Sequence, residues 1–323
     1  MLGGYTKNKQ IIDNIRGQNI TPNIRSNIRS NVTLKLNEYL DSPIITGEKI
    51  QNLADVYLGL DEDFKYNPFF YLPNQRIKQY NISNIGNNNE NYNNPRIIFC
   101  FTHRIELLSS KIKFFQNNFI LITHNSDKEI KDTESVQNIL NCDKLEKWYT
   151  QNLYIDNIDN SPYNKLNILP IGIANTQSKH GRDFISSYLD NINNIKDKKV
   201  YMSFDINTNK EERQLCYNSL YKKMPFLSLI DSLKNFDRMS KYQYCICPVG
   251  NSIDTSLFWE ALYLKLIPIV VRNSFYTLLE NKIPMIILNS WDEFDLNKLP
   301  DYNSFELSNI RLIDMNYYKS III

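Results

Sequence analysis

The 323-residue chain has only nine glycines and three histidines. Scarce glycine makes each one in a turn informative, because glycine lets a backbone approach a ligand without a Cβ in the way. Scarce histidine confines imidazole chemistry to His103, His124 and His180. There is no C-x-x-C pair, and five cysteines is an odd number. Neither a disulfide framework nor a cysteine zinc site is expected. Cys245 and Cys247 stand two apart on one predicted strand and read as reduced, inward-facing residues. No apolar run approaches the roughly 20 residues of a membrane span. The stretch MLGGYTKNKQIIDNIRGQNI is polar and lacks a signal-peptide core. The expectation is a soluble, cytoplasmic protein with no membrane span. No long basic stripe occurs and the formal net charge is +2, so nucleic acid is not the expected partner.

What is present is enough for sizeable cores: 42% of the residues are hydrophobic. The low mean hydropathy of −0.43 comes from asparagine and lysine. Richness in Asn, Ile, Lys and Tyr is a coding bias of AT-rich genomes and bears on no function. Sequons such as Asn31-Val32-Thr33 arise by chance in such a composition. The length suits two domains.

The stretch Tyr242 to Leu288 organises the chain. The short apolar run Tyr244 to Cys247 predicts a buried strand, stopped by Pro248 and Gly250. Asp254 stands at a predicted helix N-cap, followed by Leu257, Phe258, Ala261 and Leu262 on one face. Ile267 to Val271 and Met285 to Leu288 are further apolar runs. Strand-helix-strand units of this length predict a parallel sheet with its ligand beyond the carboxyl ends of the strands. Gly250, Asn251, Ser252, Asp254 and Thr255 collect at that end, at the start of a helix whose dipole favours anions. A nucleotide or nucleotide-sugar site is expected there.

Upstream, residues 1 to 35 read as a polar N-terminal arm. Val56 to Leu60 followed by Asp61-Glu62-Asp63 has the form in which two carboxylates hold a divalent ion against a diphosphate. Asn81 to Asn94 reads as a loop. Arg96 to Phe101 and Phe119 to Thr123 predict parallel strands, each followed or ended by Thr-His. Ser135 to Gln151 predicts a helical region, and Lys165 to Leu169 a strand. Lys199 to Phe204 begins a second βα segment, with a helix capped within Asn207-Thr208-Asn209. The predicted organisation has an N-terminal acceptor domain over 36–190 and a C-terminal donor domain over 191–300. A final segment, 301–323, packs back on the first domain. His124, Asp127 and His180 are the candidate general bases; His103 ranks below them. Arg213 is placed to pair with a diphosphate or with a carboxylate such as Glu211, and Asp254 to contact sugar hydroxyls or cap its helix.

Cys247-Pro248-Val249-Gly250-Asn251, Asp254-Thr255, Trp259-Glu260-Ala261-Leu262 and Ile267-Pro268-Ile269-Val270 resemble a motif of the exostosin-like glycosyltransferases (family 47 type). Trp148 to Asn152, Pro170 to Asn175 and Ser203 to Arg213 are similar to segments of viral and microbial relatives. The likeness spans roughly residues 95 to 295. It implies an α/β fold of two Rossmann-like domains facing across a cleft, the GT-B arrangement. It implies transfer of a sugar from a nucleotide sugar, a UDP-sugar foremost, to a carbohydrate or glycoprotein acceptor, with no metal or other cofactor required. It also implies that Glu260 holds ribose hydroxyls. The family often has a basic residue where Val249 and Ser256 stand, so Arg213, Arg272 or the helix dipole must supply that charge. Two other readings are a transferase dependent on Mn2+ or Mg2+ at Asp61 and Asp63, and a catalytically inactive module that binds glycan or nucleotide.

Overall fold

Strands buried on both faces read as continuous apolar runs, and here they form two parallel sheets. The computed structural model describes residues 39–64, 78–86, 95–191 and 194–323. Residues 43–323 form one compact unit; of the other, 1–42, only 39–42 are described. The first sheet contains β1 (Val56–Gly59), β2 (Lys78–Asn81), β3 (Ile97–Phe101), β4 (Phe119–His124), β5 (Leu145–Thr150) and β6 (Leu166–Ile168). Its spatial order is β2-β1-β3-β4-β5-β6. The second contains β7 (Lys198–Tyr201), β8 (Tyr242–Ile246), β9 (Ile267–Val271) and β10 (Ile286–Leu288), in the order β10-β9-β8-β7. Every pairing in both sheets is parallel. The fold class is therefore α/β.

Period-two alternation divides the first sheet's side chains between two cores. Val56, Leu58, Ile98, Cys100 and Leu121 enter one, together with α3 (Ile105–Lys111) and α4 (Glu134–Leu140) through Leu108 and Ile139. Earlier in the chain lie two short helices, α1 (Gly47–Gln51) and α2 (Asp61–Phe64). Tyr57, Phe99 and Ile122 enter the opposite core, which Met315, Tyr318 and Ile322 of the last helix help to fill. The second sheet buries Val200, Tyr244, Ile246 and Ile267 with Cys216 and Leu220. All five cysteines are free, and four of them are buried.

The remaining helices are α5 (Lys179–Asn191), α6 (Lys210–Leu220), α7 (Ser232–Met239), α8 (Ser256–Tyr263), α9 (Ser274–Leu279) and α10 (Met315–Ile322). Among the described residues no helix is long and apolar enough to cross a membrane.

Three local expectations are corrected. The helical region predicted over 135–151 stops at Leu140, and Leu145–Thr150 is a strand between β4 and β6. Polar Glu146 and Lys147 mask it, although Leu145, Trp148 and Tyr149 are buried. Asn81 belongs to β2, an edge strand beside β1, and residues 87–94 of the asparagine run lie outside the described residues. The cap of α8 is Thr255, not Asp254. The Asp254 carboxylate is engaged elsewhere.

Candidate functional site

A cleft of about 340 Å³ opens where loops following β4, β6, β7 and β8 meet. From the second sheet it is lined by Arg213, Gly250, Asn251, Ser252, Thr255 and Glu260. Asp127, His180 and a part of Asp254 complete the wall. Nine of the residues singled out from the sequence therefore share one cavity; His124, His103, Arg272 and the Asp61 and Asp63 pair do not line it.

Arg213, in the first turn of α6, is buried. Its Nε donates to Val249 O at 3.0 Å and its Nη1 to Asp205 O at 2.8 Å. The guanidinium carbon lies 5.7 Å from the centre of the Phe204 ring, within cation–π range. These partners are neutral, and among the described residues no carboxylate forms a salt bridge with it. Burial pulls its pKa down, with the Asp205 charge opposing. A buried cation with no carboxylate in salt-bridge contact favours an anionic ligand.

Gly250 gives that ligand room. A Cβ on it would lie 3.1 Å from Arg213 Nη2 and 3.4 Å from Thr255 Cγ2. The loop is held by Gly250 N donating to Ser252 O at 3.2 Å and by Asn209 Nδ2 donating to Gly250 O at 2.8 Å. Ser252 Oγ donates to Asp254 O. The same wall carries the start of α8, whose Thr255 Oγ1 is buried beside the Tyr276 hydroxyl.

His180 Nε2 lies 2.7 Å from Glu260 Oε1. The carboxylate is almost wholly buried, while the imidazole is half-exposed and packs edge-on against Phe236. Gly181 sets this ring in place. A Cβ there would meet Ala174 O at 2.2 Å, so α5 starts hard against the loop after β6. The Glu260 charge raises the His180 pKa, and burial only partly opposes it. The imidazolium form is thereby favoured, which suits proton donation or contact with an anion more than proton abstraction.

Asp127 is exposed, and its Oδ2 accepts from Asn251 Nδ2 at 3.4 Å. His124 is buried at the end of β4; its Nε2 donates to Pro170 O at 2.9 Å, and burial lowers its pKa. It joins the first sheet to the β6 loop and has no open path to the cleft. Asp254 is likewise corrected from sugar contact or cap to brace. Its Oδ2 accepts from Ile171 N at 2.7 Å and its Oδ1 from Trp259 Nε1 at 2.5 Å. Burial pushes its pKa up to about 7, against those hydrogen bonds.

Other cations and carboxylates are engaged away from the cleft. Arg272 pairs with Glu280 at 2.9 Å. Arg104 donates to Asp63 from Nε at 2.8 Å and Nη2 at 2.9 Å, and also pairs with Glu62. Asp61 accepts from Asn81 instead. The two carboxylates of the predicted metal pair thus face different partners. Among the described residues no cluster of three or more His, Cys, Asp or Glu side chains has metal-holding geometry.

The sequence reading missed Phe204 and the carbonyls of Asp205 and Val249. The aromatic in Ser203-Phe204-Asp205, just after a strand, was a usable signal. Carbonyl partners carry none, since every residue has one. A scan against protein-family models and a search of curated proteins find no match for this chain.

Proposed function

We propose that the chain is a glycosyltransferase, moving a sugar from a nucleoside-diphosphate sugar, a UDP-sugar foremost, to a hydroxyl of a carbohydrate or glycoconjugate. The observation that carries this reading is Arg213: a buried, fixed guanidinium that forms no salt bridge among the described residues, beside a glycine and a helix start. The likeness to the exostosin-like motif supports it through Gly250, Glu260 and the strand after them. On this reading the two sheets act as the Rossmann-like halves of a GT-B enzyme.

In the reaction the bond from the anomeric carbon to the diphosphate oxygen breaks. A bond from the acceptor oxygen to that carbon forms, and the acceptor proton passes to a base. Negative charge develops on the departing diphosphate. Arg213, the start of α8 and the raised imidazolium of His180 are the groups available to stabilise it. The second oxygen of Glu260 is left for ribose hydroxyls, and Asp127 is the base.

A metal-dependent reading through Asp61 and Asp63 has less support, because Arg104 already holds both oxygens of Asp63. Thermal denaturation with uridine diphosphate, without added manganese, tests the proposal. A ligand of the native state raises the melting temperature. Absence of a shift with every nucleoside diphosphate, free or sugar-linked, would sink it.

A further inference from the structure

Three neighbouring strands of the first sheet, β1, β3 and β4, each place one polar residue just beyond their carboxyl ends: Asp63, His103 and Ser126. That end of a parallel sheet is where its chemistry collects. Ser126 Oγ lies 3.3 Å from His103 Nδ1, and His103 Nε2 lies 3.4 Å from Asp63 Oδ1. Serine, histidine and aspartate thus stand in the order nucleophile, base and orienter. Both contacts are long for hydrogen bonds, as catalytic contacts often are before a substrate binds. The cluster adjoins the cleft through Asp127, while Ser126 itself is outside the cleft lining.

The surroundings fix each proton. Asp63 Oδ2 accepts from Leu60 N and Arg104 Nε, both at 2.8 Å, and Oδ1 accepts from Arg104 Nη2 at 2.9 Å. Burial would raise the Asp63 pKa, yet these bonds together hold it low. An ionised carboxylate only accepts, so His103 carries its proton on Nε2 and offers Nδ1 as a lone pair. Ser126 Oγ accepts from Lys128 N at 3.2 Å, which leaves its own hydrogen for Nδ1. The imidazole stacks on Phe101, with ring centres 5.1 Å apart, and its side chain is 41% exposed. The turn that carries Ser126 is pinned. Asn125 is left-handed at φ 58°, and its N donates to Gln151 Oε1 at 3.0 Å. Ser126 O accepts from Gln151 Nε2 and, at 3.0 Å, from Asn152 Nδ2. Among the described residues the N–H groups of Ser126 and Asp127 donate no hydrogen bond. They are left for an oxyanion on a carbon bonded to Oγ.

We propose that Ser126 is a nucleophile toward short, neutral acyl esters, with His103 as its base and Asp63 positioning the imidazole. The proton of Oγ passes to Nδ1 as Oγ bonds to the acyl carbon. The tetrahedral intermediate then expels the ester's alcohol oxygen, which takes that proton from His103, and the acyl group stays on Ser126. Water repeats the sequence, releases the carboxylic acid and restores the serine. A short acyl group suits a half-buried hydroxyl on an open turn. The carboxylates of Glu62, Asp63 and Asp127 disfavour an anionic one. This activity does not depend on the transferase reading.

The test incubates the full chain with p-nitrophenyl acetate and, separately, with an alkyl fluorophosphonate that traps activated serines. The ester should be hydrolysed faster than in buffer, and peptide mapping should find the phosphonate on Ser126. Ser126→Ala should abolish both. His103→Gln should slow both about a hundredfold, while its circular dichroism stays that of the wild type. Nitrogen NMR should find the His103 ring in its Nε2–H form. Asp63→Asn should shift it to the Nδ1–H form. Leu60 N and Arg104 Nε keep an oxygen at the Oδ2 position, so the new amide nitrogen faces the ring. No phosphonate on Ser126, equal ester turnover in Ser126→Ala or His103→Gln, or a wild-type Nδ1–H ring would each overturn the assignment. An unmoved tautomer in Asp63→Asn would overturn the role of Asp63.

Discussion

The backbone N–H of Ile171 donates to the buried Asp254 carboxylate at 2.7 Å. Ile171 follows the last strand of the first sheet and Asp254 precedes α8 of the second, so this bond ties the two walls of the cleft together. Asn152 adds to the tie by accepting from Asp254 N at 3.3 Å. The positions of Arg213 and Asp127 across the cleft depend on such bonds.

The tie should be pH-dependent. Burial raises the Asp254 pKa to about 7, above an ordinary value near 3.8. Below the ordinary value both folded and unfolded chains hold the proton, and the fold carries no penalty. Between there and about pH 7 the unfolded chain releases the proton first, so stability falls as pH rises. Each tenfold change in proton affinity is about 1.4 kcal/mol, so the loss reaches up to about 4 kcal/mol. Asp254→Asn removes this contribution at the cost of one hydrogen bond. Melting curves from pH 5 to 8 should fall more steeply for the wild type than for the variant; parallel curves would refute the assignment.

Gly250→Ala should separate binding from folding. Gly250 does not have a left-handed backbone, so the substitution brings no conformational strain of that kind. The new methyl would press on Arg213 Nη2, the far end of a long side chain, 3.1 Å away. Stability should change by no more than about 1 kcal/mol. Affinity for uridine diphosphate should drop about tenfold or more, as should that of Arg213→Lys, which keeps charge but loses the fork. Calorimetric titration of the two variants checks both effects.

Three histidines make proton titration by NMR tractable. His180 should titrate above the ordinary imidazole range because Glu260 stabilises its charged form, despite burial. His124 should titrate below that range because it is buried. The His180–Glu260 attraction stabilises the fold fully below the unfolded imidazole value and is lost as pH rises through the folded one. Glu260→Gln should bring the His180 curve down and leave that of His124 in place. An unmoved His180 curve would mean the 2.7 Å pair does not persist in solution.

Asp63→Ala should be a structural lesion. Burial alone would raise the Asp63 pKa, but hydrogen bonds from Arg104 and Leu60 N outweigh it and hold it low. Removing the carboxylate leaves Arg104 without its main partner, which costs about 3 kcal/mol for a largely buried pair. Denaturant melts should show that loss with or without manganese. A variant as stable as the wild type, with activity lost only in its manganese-dependent part, would favour the metal reading.

Much of the architecture was legible because parallel strands buried on both faces read as short apolar runs. Ile97–Phe101, Phe119–His124 and Ile267–Val271 show it directly. β5 was hidden because Glu146 and Lys147 interrupt the run, and only its neighbours β4 and β6 decide its state. The glycine turn was legible by type and spacing, whereas Glu260 was singled out through the resemblance; both line the cleft. The role of Asp254 was not: its partner is a backbone N–H 83 residues away. The freedom of Arg213 was hidden for the same reason, since sequence shows neither its carbonyl partners nor its lack of a carboxylate.

The contribution of α10 to the first core has a consequence for the order of events during synthesis. Met315, Tyr318 and Ile322 pack with Tyr57, Phe99 and Ile122, whose strands are made more than 190 residues earlier. Tyr149 Oη also donates to Ile321 O. A nascent chain that has completed both sheets still exposes this apolar face until residue 322 emerges. Such a chain must wait for its last helix, and truncation before residue 315 should turn a foldable protein into a chaperone client.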